Sequence, residues 1–221
     1  MSQIGADEER VRNRSAERRR RPVYDGLKRV FDVVLAAVGL VVLSPVWILA
    51  AVAVRLSSPG PILFRQLRVG RHFQPFTIYK FRTMVVDAHQ RGGLLTAGAD
   101  PRITRVGHWL RGTKLDELPQ LFNVLRGDMS LVGPRPEVSR YVELFRADYE
   151  YVLSVRPGIT DLASVKYRHE AALLATSGNA EEEYVRRILP DKIALARQYI
   201  DHASLWGDVG LLLRTALRIV H

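Results

Sequence analysis

Two adjacent acidic residues, Asp116 and Glu117, stand shortly before Pro119 and an apolar segment with helical spacing. Because proline is tolerated only in the opening turn of a helix, this order predicts both carboxylates at a helix N-terminus. Free backbone amides and the helix dipole there favour an ionised carboxylate or a bound phosphate. Beside Mg²⁺ and a diphosphate, such a carboxylate can attack phosphorus and form an acyl phosphate. Simple helix capping is the commoner role of acidic residues at this position, and the pattern alone leaves it open.

Basic residues bordered by turn formers lie on both sides of the acidic pair in the sequence. Arg111 precedes the pair, Arg135 lies in a Gly-Pro-Arg-Pro run, and Arg156 begins an Arg-Pro-Gly run. Guanidinium groups bind phosphate oxygens through two parallel donors, and proline stiffens the backbone around them. Taken singly, each arginine fits an ordinary surface ion pair. Together they indicate a rigid clamp for a phosphorylated substrate.

Two extended segments, residues 62–70 and 76–84, flank a turn-like run and predict a β-hairpin or a pair of extended strands. Residues two apart share a strand face, so Lys80 and Arg82 are expected on one face and Tyr79 and Phe81 on the other. One face is then cationic while the opposite face packs. In isolation, the basic face is equally explained as an ordinary solvated surface.

Most of the chain beyond Gly93 shows the three- and four-residue apolar spacing of helices. Gly127 is placed to cap the C-terminus of one of them. The last segment has a broad apolar face with Arg214 and Arg218, which fits an interfacial membrane helix and a buried core helix equally well. The predicted helical segments are residues 102–113, 116–128, 138–155, 181–203 and 205–220.

The composition is that of a globular domain with an anionic partner. The 221 residues contain no cysteine and are 47% hydrophobic, which excludes a disulfide-stapled miniprotein, thiolate metal sites, wholesale disorder and fibrous repeats. The 33 basic residues exceed the 23 acidic ones, for a formal charge of +10. This excess indicates nucleic acid, a phosphorylated substrate or acidic lipid as a partner.

A run of 22 residues without formal charge, residues 33–54, is long enough as a helix to cross a bilayer. Ser44 and Pro45 interrupt its centre, and basic residues flank both ends, which places both ends on the same, cytoplasmic side. Each half would then be about 11 residues and about 17 Å long, reaching only mid-bilayer. We therefore favour a re-entrant helix–break–helix. A kinked helix that spans the bilayer stays open, because membrane helices tolerate proline kinks.

Several signals are absent from the sequence. It contains no P-loop motif and no dinucleotide-binding glycine motif, and its six histidines lack the paired spacing of metal ligands. We therefore assign no histidine to a metal and expect Mg²⁺ rather than zinc. Without a nucleic-acid-binding motif, and with charge concentrated in the arginine-rich N-terminal segment, nucleic acid is not expected as a partner.

Several long motifs, in this order, make the chain closely resemble the bacterial sugar transferases, the monotopic phosphoglycosyl transferases that begin the assembly of surface glycans. The resemblance covers nearly everything after Tyr24. It is carried by Lys28-Arg29 with Asp32, the apolar run with Ser44-Pro45, Tyr-Lys-Phe-Arg-Thr-Met at 79–84, Leu-Asp-Glu-Leu-Pro-Gln-Leu-Phe-Asn-Val at 115–124, Arg-Gly-Asp-Met-Ser-Leu-Val-Gly-Pro-Arg-Pro at 126–136, and Arg-Pro-Gly-Ile-Thr at 156–160.

This resemblance implies transfer of a sugar-1-phosphate from a UDP-sugar to polyprenyl (undecaprenyl) phosphate, with release of UMP, at the cytoplasmic face of the bacterial inner membrane. It assigns Asp116 as the nucleophile and Mg²⁺ ligand, with Glu117 as its companion. The phosphate-binding positions fall on Lys80, Arg111 and Arg135, with Arg82 and Arg156 as weaker candidates. Membrane lipids and a second copy of the chain, as a dimer, are the other partners that it implies.

The resemblance also sets the expected organisation. The fold is predicted as α+β and mostly α-helical, with the re-entrant helix pair followed by a compact cytoplasmic domain that contains a short β-hairpin and amphipathic interfacial helices. Residues 1–22 are predicted as a disordered basic tail, 23–57 as the membrane helix hairpin and 58–221 as the catalytic domain. The tail is a solvated arm or an electrostatic attachment to anionic headgroups.

One segment departs from the family pattern. Many relatives carry Gly-Trp-Ala-Gln after the Arg-Pro-Gly-Ile-Thr motif, whereas this chain has Asp161-Leu162-Ala163-Ser164. On the resemblance alone, we expect the departure to leave the chemistry untouched, and it removes any basis for assigning the sugar from this region. A non-catalytic membrane-surface adaptor that binds anionic lipids is the main alternative function.

Overall fold

The computed structural model describes residues 22–88, 90–93 and 95–220, so the predicted tail lies outside the described residues except for Pro22. The described chain is mostly helical with a small hairpin, which confirms the α+β, mostly helical prediction. The elements are α1 (Pro22–Val42), α2 (Ser44–Ser57), β1 (Leu63–Val69), β2 (Pro75–Phe81), α3 (Arg105–Gly112), α4 (Gln120–Arg126), β3 (Ser130–Val132), α5 (Ser139–Leu144), α6 (Arg146–Val152), β4 (Gly158–Thr160), α7 (Leu162–Lys166), α8 (Glu170–Ala175), α9 (Ala180–Glu183), α10 (Leu189–His202) and α11 (Leu205–Val220).

The apolar run forms parts of two helices that meet at a break. Leu43 separates α1 from α2, and the helices are bent by 64° there. Pro45 lies in the first turn of α2, where its missing amide costs no helical bond, and Ser44 Oγ donates to the carbonyl of Val41 at 2.7 Å. The predicted interruption is confirmed, but α1 begins well before the apolar run and is longer than the predicted half-helix. Within the described residues no unbroken helix has the length and hydropathy of a membrane span, whereas α1 and α2 together reach both by length and composition.

Much of the apolar surface of this helix pair is exposed. Many valine, leucine and isoleucine side chains along both helices are more than half accessible, although the other face of α1 packs on the rest of the chain. The most exposed are Val23, Val30, Val41, Val42, Ile48, Leu49 and Leu56.

The first half of α1 is anchored to the rest of the chain by polar contacts. The Arg29 guanidinium donates to the carbonyls of Val124 and Leu125, in the last turn of α4, at 2.6 and 3.0 Å. Lys28 Nζ donates to buried Asp208 of α11 at 2.7 Å. These contacts fix α1 against α4 and α11. Further along α1, Ala36 packs in one core cluster with Phe76 of β2 and Val124 of α4.

The predicted β-hairpin is confirmed. Strands β1 and β2 pair antiparallel with Leu63 opposite Phe81 and Val69 opposite Pro75. At the turn, His72 and Phe73 both have positive φ, and the amide of His72 donates to the carbonyl of Leu153 at 2.8 Å. That bond to the end of α6 compensates for a backbone conformation that L-residues rarely adopt.

A short parallel pair, β3 with β4, was not predicted. It brings the segment before Pro134 against the segment after Arg156, and the two backbone segments come into contact at Gly133 and Gly158. A Cβ on Gly158 would lie 2.1 Å from the amide nitrogen of Gly133, so no side chain fits there. These strands are three residues each, too short for a periodic pattern to show in the sequence.

The C-terminal half is mostly helical, as predicted, but α7 and α8 lie between the predicted segments, and two of those segments differ in detail. The segment predicted at 138–155 is divided into α5 and α6 at Phe145, and a π-helical turn, Tyr184–Ile188, joins α9 to α10. In α11, Leu211 is buried against the core, whereas Trp206 and Leu213 are largely exposed. The last helix therefore has one side in the core and one exposed apolar side, and its placement in a membrane interface stays a prediction.

Candidate active site

The acidic pair, called the dyad below, lies in its own short 3₁₀ turn, Leu115–Glu117, just before α4. The sequence predicted the dyad and Pro119 inside the first turn of one helix; instead α4 begins at Gln120. Hydrogen bonds between residues three apart explain the difference. The amide of Leu118 donates to the carbonyl of Leu115 at 3.2 Å, which is the tighter 3₁₀ pattern and not the α-helical pattern between residues four apart. Lys114 precedes the turn with φ of 58°, a left-handed conformation that separates it from α3.

Glu117 is held between two cations. Its Oε1 accepts from Lys80 Nζ at 2.7 Å and from the Arg135 guanidinium at 2.6 Å. Burial alone would raise the pKa of Glu117, but the charges of Arg135 and Lys80 outweigh burial and hold this pKa far below its ordinary range. Glu117 is therefore ionised at neutral pH and fixes the two cations in place.

Asp116 is the dyad member left with an unused acceptor. Its side chain is buried, and its Oδ1 accepts no hydrogen bond from any residue that the structure describes. Burial raises the pKa of Asp116, and so does the charge of Glu117, whereas Lys80, Lys114 and Arg111 lower it. A dehydrated carboxylate with a free oxygen is suited to bind a cation or to attack an electrophile, and a bound cation would favour its ionised form.

Arg111 lies in the last turn of α3, on the same side as Asp116. Its Nε donates to Thr83 Oγ1 at 2.9 Å and its terminal nitrogen donates to Thr96 Oγ1 at 3.3 Å. These hydroxyls aim the guanidinium without neutralising it, so its positive charge remains to act on Asp116. The charge of Arg111 thus acts near the dyad, and phosphate binding by this residue stays a prediction.

The structure brings neither Arg82 nor Arg156 into contact with the dyad. Strand β2 ends at Phe81, and the buried Arg82 guanidinium turns to the carbonyls of Ser58 and Pro59, which begin the linker after α2. The Arg82 amide still donates to the carbonyl of Ile62 in the hairpin, but its guanidinium is bound to the linker, so Arg82 does not extend the cationic face of Lys80. Arg156 Nε donates to the carbonyl of Gly127 at 2.9 Å. Both arginines satisfy backbone carbonyls, and substrate binding by either stays a prediction.

Asn123 was missed by sequence reasoning although it positions the site. It is fully buried in α4, where its Oδ1 accepts from the amide of Tyr79 at 3.1 Å and its Nδ2 donates to the carbonyl of Thr77 at 2.7 Å. These two bonds attach α4 to the backbone edge of β2, and so fix Lys80 relative to Glu117. A polar residue at a core position of an otherwise apolar helix was the signal available in the sequence.

The donor set at the dyad fits a magnesium ion shared with a substrate. The described residues contain no group of three histidine, aspartate or glutamate side chains able to enclose a metal ion. Mg²⁺ commonly takes only one or two protein carboxylates and completes its shell with water and substrate phosphates. The unpartnered Oδ1 of Asp116 meets that requirement, whereas Oε1 of Glu117 already accepts from two cations.

The family model of the bacterial sugar transferases matches residues 23–221. The chain belongs to this family, as its motifs indicated.

Named relatives agree with this assignment. They include the UDP-N-acetylgalactosamine-undecaprenyl-phosphate N-acetylgalactosaminephosphotransferase of Aeromonas hydrophila, 39% identical over 90% of this chain and 45% of the relative. The UDP-glucose:undecaprenyl-phosphate glucose-1-phosphate transferase of Caulobacter vibrioides is 42% identical over 88% of this chain and 70% of the relative. The Escherichia coli K12 protein of the same name is 41% identical over 89% of this chain and 42% of the relative. The chain thus spans less than half of two relatives. All three names denote sugar phosphotransferases, the enzyme class that the sequence predicts for this chain.

Proposed function

We propose that this chain transfers a sugar-1-phosphate from a UDP-sugar to undecaprenyl phosphate and releases UMP. The family membership and the names of the relatives support the donor and acceptor classes. The single observation that carries the mechanism is the buried, unpartnered oxygen of Asp116 beside an ionised Glu117 that holds two cations.

The proposed reaction has two steps at one phosphorus atom. Asp116 attacks the β-phosphorus of the donor, an aspartyl O–P bond forms, and the bond to the departing UMP oxygen breaks. A phosphate oxygen of the lipid acceptor then attacks the same phosphorus and displaces the Asp116 carboxylate, which forms the polyprenyl diphosphate sugar. This order predicts ping-pong kinetics.

The cations beside the dyad offset the charge of these steps. Lys80 and Arg135 keep Glu117 ionised and orient it, and Arg111 presents a guanidinium on the Asp116 side. A carboxylate approaching a diphosphate is repelled unless positive charge lies between them. Mg²⁺ bound through Asp116 would supply such charge and polarise the phosphoryl oxygens.

We propose further that α1 and α2 enter the cytoplasmic face of the inner membrane as a re-entrant pair. The bend at Leu43, the exposed apolar side chains of both helices and the flanking basic residues support this placement. The exposed Trp206 and Leu213 of α11 fit the interfacial layer beside it. Such a placement brings the dyad within reach of a lipid-borne phosphate.

The reaction is tested by intact-mass analysis of the purified protein with individual UDP-sugars and Mg²⁺, without lipid acceptor. We expect a mass gain equal to one phosphosugar, and its loss when undecaprenyl phosphate is added. Asp116→Asn is expected to abolish both the adduct and UMP release, while Asp148→Asn, a surface carboxylate paired with Arg197, retains them. Normal turnover by Asp116→Asn would contradict the mechanism and favour the alternative of a non-catalytic membrane-surface adaptor.

The topology is tested separately. Because the chain has no cysteine, single cysteines introduced at Ser2 and at His221 are specific probes for an impermeant thiol reagent in intact cells. A re-entrant pair leaves both positions unlabelled until the membrane is permeabilised. Labelling of only one of them in intact cells would show that the helix pair spans the membrane.

A further inference from the structure

Asp161 is a buried carboxylate outside the dyad that uses both of its oxygens. It follows β4 and is 5% exposed. Its Oδ1 accepts from the amide of Ser164 at 2.7 Å and so caps the N-terminus of α7, while its Oδ2 accepts from the amide of Arg135 at 3.3 Å. An N-cap needs only one acceptor oxygen. The second oxygen therefore has a separate use.

The backbone around Arg135 is held from the same side by the strand pair. The amide of Gly133 donates to the carbonyl of Thr160 at 3.1 Å, and the amide of Gly158 donates to the carbonyl of Pro134 at 2.9 Å. Asp161 extends this series by one residue and contacts the residue whose guanidinium holds Glu117. Arg135 thus connects the two carboxylates: its backbone amide donates to Asp161 and its guanidinium donates to Glu117.

The charge of Asp161 acts in the same sense as its hydrogen bond. Glu117 is the main cause of the raised pKa of Arg135, and Asp161 adds to it from the backbone side of the loop. Arg135 therefore lies between a carboxylate that it binds with its side chain and a carboxylate that receives its amide. Such bracketing limits the positions that the guanidinium can take.

We propose that Asp161 is a positioning residue for the transfer reaction, which acts through Arg135 to fix Glu117 beside Asp116. This inference rests on the function proposed above. It assigns a role to the segment where the chain departs from the pattern of its family. The alternative is that Asp161 only caps α7.

Two substitutions separate these roles. In Asp161→Ser the hydroxyl still caps α7, since serine is a preferred N-cap residue, but the second acceptor and its charge are lost. In Asp161→Asn the amide oxygen keeps the cap and an NH₂ group replaces the acceptor that faces Arg135. We expect both variants to unfold near the wild-type temperature and to form the phosphosugar adduct roughly tenfold more slowly. In full turnover with the lipid acceptor, the loss should lie mainly in kcat and not in KM.

Coupling to Arg135 is the decisive measurement. If Asp161 acts through Arg135, adding Asp161→Ser to Arg135→Gln slows adduct formation little beyond Arg135→Gln alone. Asn179→Ser, which exchanges the exposed N-cap residue of α9, is the matched control and keeps the wild-type rate. The inference is overturned if both Asp161 variants react at the wild-type rate, or if their effect is undiminished in Arg135→Gln. Absence of any adduct in the wild-type protein would instead contradict the proposed function itself.

Discussion

Replacing Glu117 by glutamine tests whether this side chain is the charge that holds the site together. Glutamine keeps the shape and one acceptor oxygen but removes the negative charge. Lys80 and Arg135, which donate to the same oxygen at 2.7 and 2.6 Å, then face each other without their shared counterion. We expect the variant to be folded, less stable and inactive.

The magnitude follows from the burial of the three groups. Removing one partner of a fully buried ion pair costs about 3–5 kcal/mol. Here the Glu117 side chain is 11% exposed, Lys80 19% and Arg135 34%, so water screens part of the uncompensated charge. We therefore expect the lower end, about 3 kcal/mol, which for a chain of this length lowers Tm by about 6–12 °C.

Thermal unfolding of the detergent-solubilised protein measures this loss, with Glu143→Gln as the control. Glu143 forms an exposed pair with Arg146, and its substitution is expected to change stability by less than about 0.5 kcal/mol. Because the pKa of Glu117 is depressed in the folded state, its contribution is complete above the ordinary glutamate pKa and is lost only in strong acid. The deficit should thus be equal at about pH 6 and pH 8. Equal melting temperatures for the two variants would refute the assignment of Glu117 as the central counterion.

Three further substitutions test the surroundings of the site. Asp100→Asn removes a carboxylate that binds Arg102 through both oxygens, and this bond is the chief cause of the lowered pKa of Asp100. Measured by chemical unfolding, the loss of stability in the variant should be complete at neutral pH. It should vanish in acid, where the wild-type carboxyl is neutralised as well. Leu110→Ala leaves a cavity at a fully buried position of α3, where Leu110 packs in one cluster with Phe81 of β2, and should cost about 2–4 kcal/mol in the same assay. A loss below about 1 kcal/mol would contradict this packing. Gly158→Ala places a Cβ 2.1 Å from the amide nitrogen of Gly133 and should abolish adduct formation, whereas wild-type activity would show that the strand pair can separate freely.

The parts of the fold with strong local signals were predictable from the sequence. The break in the apolar run was marked by Ser44 and Pro45, the hairpin by two extended segments, and the end of α4 by Gly127, whose φ is 95°. Each of these depends on the chemistry of a few neighbouring residues. The parallel pair of β3 and β4 depends on two glycines far apart in sequence, and no local pattern contains that information.

The candidate site was predicted only in part, because local motifs identify residues but do not determine long-range contacts. Residue type and motif identified Lys80, Glu117 and Arg135, which the structure joins at one oxygen atom. The direction of the Arg82 side chain was harder to predict. Arg82 follows the last residue of β2, and its guanidinium turns toward the linker. The second contact of Asp161, with Arg135, is set by tertiary structure alone.

The arginine anchor of α1 has a consequence for the geometry of the whole chain. Arg29 supplies donors for the terminal carbonyls of α4, the helix that follows the dyad, and no flexible joint separates Arg29 from the bend at Leu43. Inserting one residue between these two positions would rotate the end of α1 and the attached α2 by about 100° around the helix axis relative to the anchored turn, and would move them by about 1.5 Å. The anchor would survive, but the apolar side of α2 would face a different direction. The number of residues between Arg29 and the bend therefore sets how the dyad is oriented toward whatever surface receives that apolar side.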